Sequence, residues 1–262
     1  IKKSKQGRFQ ILDIVEMMRP LTKFTKQVVH GNSIPVIVRE AIRIAQEERP
    51  GAVHIELPED IAAEECSAEP FPVLSPRRPQ PDALAIEQAV DMIRSSTRPL
   101  LLIGAGANRN RTCKALTRFI EKTGLYFFDT QMGKGVIDER NTNFLGTAAL
   151  STKDYLHCAI DRADLIINIG HDAIEKPPFF MEEGGSKVIH INHFPAQVDE
   201  VYFPQLEVLA DIASSIERMT EKLEPNDLWD FTYFHRVKQE IDKHVDDKSQ
   251  NARFPIIPQY LV

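Results

Sequence analysis

Two short apolar runs, each ending on glycine before polar residues, form the clearest hydrophobic pattern in the chain. The first lies within residues 98–107 and the second within residues 163–172. Unbroken apolar runs of this length are typical of strands buried on both faces of a parallel sheet. In open α/β sheets, ligands bind beyond the carboxyl ends of such strands, where glycine lets the backbone approach a phosphate. The pattern therefore predicts a nucleotide-type binding domain.

Apolar strands alternate with amphipathic helices between residues 82 and 223. The first helix carries Ile86, Ala89, Val90 and Ile93 at helical spacing. Alternating strands and helices indicate a parallel sheet with right-handed crossovers. We therefore predict an α/β fold, a Rossmann-like three-layer parallel sheet of five or six strands between helices. The strands predicted individually are 99–103, 125–129, 165–169, 187–191 and 206–210.

The flanking segments have a different pattern. Within residues 1–65 a helix is predicted from Ile34-Pro35, and a strand with one buried side from Val53 to Leu57. One helix and one strand cannot bury a core, so we expect this segment to pack poorly or to pair with another copy. Residues 66–81 are rich in proline and predict an extended linker. Residues 224–262 predict a second linker, with a polar helix that carries Phe234 on its apolar side.

Charge and cysteine content exclude several classes of function. The net charge of −6 argues against a nucleic-acid partner and against a membrane surface, which both attract basic faces. No apolar run approaches the roughly 20 residues of a membrane span. Three well-separated cysteines indicate reduced thiols in a cytoplasmic protein. Because the chain begins at Ile1 within a basic stretch, we expect it to be part of a longer protein.

The glycine turn at Gly104-x-Gly106 is the strongest candidate for ligand contact. It is not a complete dinucleotide fingerprint, because Arg109 stands at the third glycine position. Asp129, at the end of the next predicted strand, stands where a ribose-binding acid would lie in a nicotinamide enzyme. The alternatives are a tight turn without ligand and an acid without a binding role.

The histidines offer weaker candidates. His190 and His193 flank a strand end on opposite faces, without acidic or cysteine neighbours, so we predict no metal site there. His171 and Asp172 follow a strand, where either a ligand contact or a plain loop is expected. Glu175, which precedes Lys-Pro-Pro, is interpreted as part of a helix start. The sequence contains no GxSxG, HExxH or Walker motif, and we predict no catalytic residue.

The chain carries an ordered series of motifs: Arg49-Pro-Gly-Ala-Val-His-Ile-Glu-Leu-Pro-Glu-Asp-Ile61, Ile103-Gly-Ala-Gly106, Met132-Gly-Lys-Gly135, Ala163-Asp-Leu-Ile-Ile167 and Val188-Ile-His-Ile-Asn192. This series resembles the thiamine diphosphate-dependent enzymes. Within that family it is most similar to the large, catalytic subunit of acetolactate synthases. The resemblance identifies residues 1–65 as the C-terminal part of the pyrimidine-binding domain and 82–223 as the central domain. Residues 224–262 would then lead towards a diphosphate-binding domain.

The resemblance implies an activity for the full-length protein. The family member condenses two pyruvates, with decarboxylation, to 2-acetolactate, using thiamine diphosphate and magnesium; the full-length chain is expected to be a homodimer or homotetramer. The activating glutamate and the GDG–asparagine motif lie outside this sequence, so we expect the chain alone to be inactive. Three alternatives stay open: another 2-oxo acid oxidase or decarboxylase, a nicotinamide-binding domain, and a non-catalytic assembly or regulatory domain.

The resemblance also raises the question of a flavin. Biosynthetic members hold FAD in the central domain, where its role is structural. They follow the position of Gly170 with a run that contains arginines; here the run from His171 to Glu175 has none and is similar to flavin-free catabolic acetolactate synthases. Losing charge-assisted hydrogen bonds weakens a diphosphate site. We therefore expect a cleft that holds FAD weakly or not at all and that still accommodates a small anion or an ADP-like group. By position, the cofactor contacts would fall on Arg49, Gly104, Ala105, Gly106, Thr130, Gln131, Gly170, His171, Asp172 and Asp211.

Overall fold

The computed structural model describes residues 12–72, 77–148, 155–171, 175, 181–198 and 200–249. The chain divides into two compact units, Ile1–Arg77 and Arg78–Val262. The division falls inside the proline-rich stretch that the sequence indicates as a linker. In the described residues, no helix has both the length and the apolar character needed to cross a membrane.

The first unit is built on two parallel strands. Strand β1 pairs along its whole length with β2, and the buried apolar residues Val28, Ile37 and Ile61 form a small core. Strand β2 ends one residue before the predicted end, and Leu57 is 50% exposed, so the predicted strand was too long. Pro58, which lacks an amide hydrogen, follows directly. The elements are α1 (Ile14–Met18), β1 (Phe24–Gln27), α2 (Ile34–Gln46), β2 (Val53–Glu56) and α3 (Glu59–Ala62).

The second unit contains a six-stranded parallel sheet, which confirms the predicted fold class. The strand order is β5-β4-β3-β6-β7-β8, and every neighbouring pair is parallel. The elements are α4 (Ala83–Ser95), β3 (Pro99–Ile103), α5 (Asn110–Thr123), β4 (Tyr126–Thr130), β5 (Phe144–Ala148), α6 (Tyr155–Ile160), β6 (Leu165–Ile169), β7 (Lys187–Asn192), β8 (Leu206–Leu209), α7 (Ile212–Lys222) and α8 (Thr232–Ser249).

Side chains on the two faces of the sheet enter two separate hydrophobic clusters. On β3, Leu101 and Ile103 join the cluster that contains residues of α4, α5 and α7. Leu100 and Leu102 point the other way and join residues of α6 and α8. Because successive strand residues face opposite sides, a strand buried on both faces must be apolar throughout. Helices cover both faces of the sheet, and this three-layer arrangement explains why every residue of β3 is apolar.

Helix α8 belongs to the second of these clusters. Phe234 is fully buried, and its ring centroid lies 5.8 Å from that of Tyr126 on β4. Val237, one helical turn later, is also buried. The first part of the segment 224–262, which the sequence indicates as a linker, therefore packs on the sheet, whereas residues 250–262 lie outside the described part of the chain.

The strand order places a topological switch point between β3 and β6. After β3 the chain adds β4 and β5 on one side of the sheet, and it then returns to place β6, β7 and β8 on the other. Ligand crevices in doubly wound sheets form at the carboxyl ends of two such strands. Gly104 directly follows β3 and Gly170 directly follows β6, so both glycine segments reach this point.

Candidate functional site

The two glycine segments are in direct backbone contact at the switch point. The Gly104 amide donates to the Ile169 carbonyl at 2.9 Å, and the Gly106 amide donates to the Gly170 carbonyl at 2.8 Å. A Cβ on Gly104 would lie 2.4 Å from the His171 Cα. Gly170 has a φ of 67°, and a Cβ there would lie 2.4 Å from the Ala107 nitrogen. The glycines thus let two loops of the same chain approach each other closely.

The Glu175 carboxylate lies on the glycine turn. Its Oε1 accepts a hydrogen bond from the Ala105 amide at 2.8 Å, and its Oε2 accepts one from the Thr130 hydroxyl. The Thr130 Oγ1 in turn accepts a bond from the Gly133 amide at 3.1 Å. Glu175 is only 8% exposed. A buried carboxylate with several donors is well satisfied, so this arrangement fixes the turn.

Sequence reasoning missed this role of Glu175. It was interpreted as part of a helix start, whereas its side chain bonds two residues of the glycine-turn region. Residues 176–180, where that helix would begin, lie outside the described residues. The signal available in the sequence was the similarity to flavin-free members around this glutamate, which gave no indication of what the side chain contacts.

Asp129 is the second buried acid at this edge of the sheet. It is 3% exposed, and its Oδ1 accepts no hydrogen bond from the part of the chain that the structure describes. Burial raises the pKa of its carboxyl to about 6, and the Glu139 charge adds to this, while a hydrogen bond from Thr147 and the charge of Lys134 oppose it. Its position at the end of β4 is the predicted one, but it lies buried within the sheet.

Asp211 is held in a separate polar cluster. It caps α7, accepting bonds from the amide and hydroxyl of Ser214 at 2.9 Å each. Arg78 and Arg111, both half-exposed, donate to it at 3.2 and 3.1 Å. Burial raises the pKa of the Asp211 carboxyl, but the Ser214 and Arg78 hydrogen bonds and the Arg111 charge outweigh this and hold the pKa below its usual value.

The remaining predicted contacts are distributed as follows. His171 is buried; its amide donates to Asn168 Oδ1 at 3.3 Å, and its carbonyl accepts from Asn192 Nδ2 at 3.1 Å. Gln131 is exposed. Arg49 lies in the first unit, and Asp172 lies outside the described residues. The structure thus brings together the glycine turn, Gly170, His171 and Thr130, and it adds Glu175.

The histidine pair has structural contacts. The His190 Nδ1 lies 3.0 Å from the Tyr202 hydroxyl, and its Nε2 lies 3.1 Å from the Phe194 carbonyl. His190 is buried on β7, whereas His193 is half-buried after the strand. Among the described residues, no group of three or more histidine, cysteine, aspartate or glutamate side chains could hold a metal ion.

Comparison with known protein families identifies the domain that contains this sheet. The family described as the central domain of thiamine pyrophosphate enzymes matches residues 86–219, which span the sheet and most of its helices. The chain belongs to this family. The thiamine pyrophosphate enzyme family implies thiamine diphosphate as the cofactor of the full-length protein.

Individual relatives agree with the family. The chain is 29% identical to a catabolic acetolactate synthase of Raoultella terrigena, over 82% of this chain and 39% of that protein. It is 26% identical to a glyoxylate carboligase of Escherichia coli O157:H7, over 81% of this chain and 37% of that protein. The chain therefore spans about two-fifths of the length of these relatives.

A solved structure supports the fold. An X-ray structure of a proposed thiamin diphosphate-dependent enzyme from Mycobacterium smegmatis superposes with a TM-score of 0.68 and 21% sequence identity. The match covers 82% of this chain and 42% of that one. At this identity the likeness establishes the shared fold alone.

Proposed function

We propose that this chain is part of an enzyme that condenses two pyruvates, with decarboxylation, to 2-acetolactate. Membership of the thiamine pyrophosphate enzyme family is the observation that carries the proposal. The similarity to an acetolactate synthase over most of the chain supports the choice of reaction. Bound thiamine diphosphate supplies the carbanion chemistry, and the protein supplies orientation and proton transfer.

The residues of this chain have a structural role in that proposal. Glu175, His190 and Asp211 are engaged in the loop-fixing, network and capping contacts given above. Asp129, whose carboxyl has a raised pKa, is buried within the sheet. The chain alone is accordingly proposed to be inactive, with thiamine diphosphate and magnesium held by other parts of the full-length protein.

A second candidate reaction uses glyoxylate in place of pyruvate. The similarity to a glyoxylate carboligase favours it, since identity and coverage are nearly the same as for the acetolactate synthase. Both reactions decarboxylate one 2-oxo acid and join the remainder to a second carbonyl. The two candidates therefore differ in the 2-oxo acid that the enzyme uses.

Assay of the full-length protein separates these candidates. We expect the purified enzyme, with thiamine diphosphate and magnesium, to release carbon dioxide and form 2-acetolactate from pyruvate, and to turn over glyoxylate much more slowly. The same preparation without thiamine diphosphate and the 262-residue chain are the controls. Preferential turnover of glyoxylate would select the second candidate, and release of acetaldehyde or acetate without carbon–carbon bond formation would contradict both.

Assembly and location are part of the same proposal. We propose a cytoplasmic homodimer or homotetramer that acts on a small 2-oxo acid, without nucleic-acid or membrane partners. The net charge of −6 supports the absence of a nucleic-acid partner. Light scattering of the full-length protein during gel filtration measures the assembly, and a monomer with full activity would contradict it.

A further inference from the structure

The donors at the switch point are already engaged by a group of the protein itself. The Ala105 amide and the Thr130 hydroxyl are two of the groups that the resemblance assigns to a flavin nucleotide, and both donate to the Glu175 carboxylate. A backbone amide and a hydroxyl are the donors that a phosphate uses in a glycine-rich turn. The protein therefore supplies its own anion where a ligand's phosphate would be recognised.

We propose that Glu175 is an internal anion that closes the glycine turn, so that the central unit of this protein excludes FAD and other nucleotides. The residues present do not fit a flavin diphosphate, because a diphosphate at the Ala105 amide would meet a buried carboxylate of the same charge. Like charges brought together in a buried site repel strongly. This inference does not depend on which 2-oxo acid the full-length enzyme uses.

Two arginines of the same unit are also engaged by acidic side chains of the protein. Arg111, at the start of α5, donates to Asp211 at 3.1 Å and lies 3.9 Å from Glu217. Arg78 donates to the same aspartate. Asp211 thus holds two guanidinium groups, and a diphosphate would have to compete with a buried carboxylate to recruit them.

Backbone contacts between the two glycine segments also restrict access to the turn. The 2.8 Å bond from the Gly106 amide to the Gly170 carbonyl leaves no space between the two loops for a side chain, as the close approach at Gly104 also shows. A phosphate on the Ala105 amide would therefore have to take the place of the Glu175 carboxylate rather than enter between the loops. The topology is of the nucleotide-binding type, and the Ala105 amide at its glycine turn already donates to Glu175.

Removal of the carboxylate tests the proposal. In the 262-residue chain, E175A frees the Ala105 amide and the Thr130 hydroxyl, while E175Q keeps a group of the same size that accepts from the amide. E183A, which changes an exposed glutamate nearby, is the matched control. Inorganic phosphate, ADP and FAD are titrated by calorimetry into all four proteins.

We expect phosphate or ADP to bind E175A at least about tenfold more tightly than the wild-type chain or E183A. E175Q should bind these ligands more tightly than wild type and less tightly than E175A, because it loses the charge but still occupies the Ala105 amide. We also expect these ligands to raise the melting temperature of E175A most, because a ligand stabilises only a state that binds it. Wild-type chain that binds ADP or FAD as well as E175A does would overturn the proposal. So would a folded E175A that binds none of the three probes.

Hydrogen exchange keeps the proposal testable if E175A does not fold. In the wild-type chain the Ala105 amide is expected to exchange slowly, because it donates a hydrogen bond to the buried Glu175 carboxylate. An Ala105 amide that exchanges in wild-type chain as fast as one in an unstructured peptide would overturn the proposal without any variant.

Discussion

The Glu175 carboxylate accepts a hydrogen bond from the Ala105 amide at 2.8 Å, across 70 residues of chain. The bond joins the loop after β6 to the turn after β3, the two neighbouring strands at the switch point. It changes how the glycine turn is understood. Glycines in this setting usually let a backbone approach a phosphate; here they let it approach another loop, and a side-chain carboxylate completes the contact.

Replacement of Thr130 tests the second half of this contact. T130V keeps the shape but removes the hydroxyl that donates to the buried Glu175 carboxylate and accepts from the Gly133 amide, which keeps its bond to the Thr130 carbonyl. We expect a loss of about 2 kcal/mol in the free energy of unfolding. T130S, which keeps the hydroxyl, should lose less than half as much.

The measurement is chemical denaturation followed by the fluorescence of Trp229. It is the single tryptophan of the chain, and its indole donates to the Ile93 carbonyl at 3.0 Å in the second unit. Equal losses for T130V and T130S would show that the hydroxyl is not what matters at this position.

Gly170 should be far less tolerant of a side chain than another left-handed glycine. Gly170 and Gly184 have φ angles of 67° and 78°, but only at Gly170 would a Cβ meet backbone, at 2.4 Å from the Ala107 nitrogen; at Gly184 it would meet nothing within 4 Å. We expect G184A to cost about 1 kcal/mol from backbone conformation alone. G170A should cost several times more or prevent folding of the second unit. Similar unfolding midpoints for the two variants would contradict the close contact between the loops.

The buried carboxyl of Asp129 should make stability depend on pH. Its folded pKa of about 6 lies above the ordinary value of 3.8, so the native state favours the protonated form. The stability that this group contributes is therefore present below pH 3.8 and is lost as the pH rises through about 6. D129N, which stays neutral and can still accept from Thr147, should be more stable than wild type at neutral pH by up to about 3 kcal/mol. The advantage should disappear near pH 4; an advantage of the same size at both pH values would contradict the assignment.

Asp211 should contribute more than an ordinary helix cap. D211A removes the cap of α7 and the acceptor for Arg78 and Arg111, whereas D82A removes only the cap of α4, a single exposed bond to the Ala85 amide. We expect the free energy of unfolding to fall by about 3 kcal/mol in D211A and by about 1 kcal/mol in D82A.

The pH dependence of the Asp211 contribution has the opposite sign to that of Asp129. The folded pKa of Asp211 lies below its usual value of 3.8, so its contribution is present above that pH and is lost as the pH falls through the folded pKa. Unfolding curves of wild type and D211A at neutral and acid pH check this. A difference that grows on acidification would contradict the network.

Strands with unbroken apolar runs were predictable from the sequence, and irregular ones were not. The predicted strands 99–103 and 165–169 coincide with β3 and β6, because both are buried on both faces. Strand β5 was not predicted as an element, since it is an edge strand, is interrupted by Gly146 and is only partly buried. Strand β1 escaped for a similar reason: only its first residue is strongly apolar, and none of its four residues is fully buried.

The location of the candidate site could be predicted from the sequence, but the contacts of Glu175 and the burial of Asp129 could not. The glycine turn, Gly170 and Thr130 meet at the switch point because parallel strands deliver their carboxyl ends to one edge. That Glu175 occupies this edge depends on a contact over 70 residues, and no local pattern specifies such a contact. The burial of Asp129 likewise depends on neighbours on β5, a strand that the sequence did not reveal.

The most direct test of the central claim is a crystal structure of the full-length enzyme grown with an excess of FAD. We predict that the Glu175 carboxylate lies within hydrogen-bond distance of the Ala105 amide and the Thr130 hydroxyl, and that no flavin lies at the glycine turn. A flavin diphosphate on the Ala105 amide, with Glu175 turned away and an arginine in its place, would contradict the account.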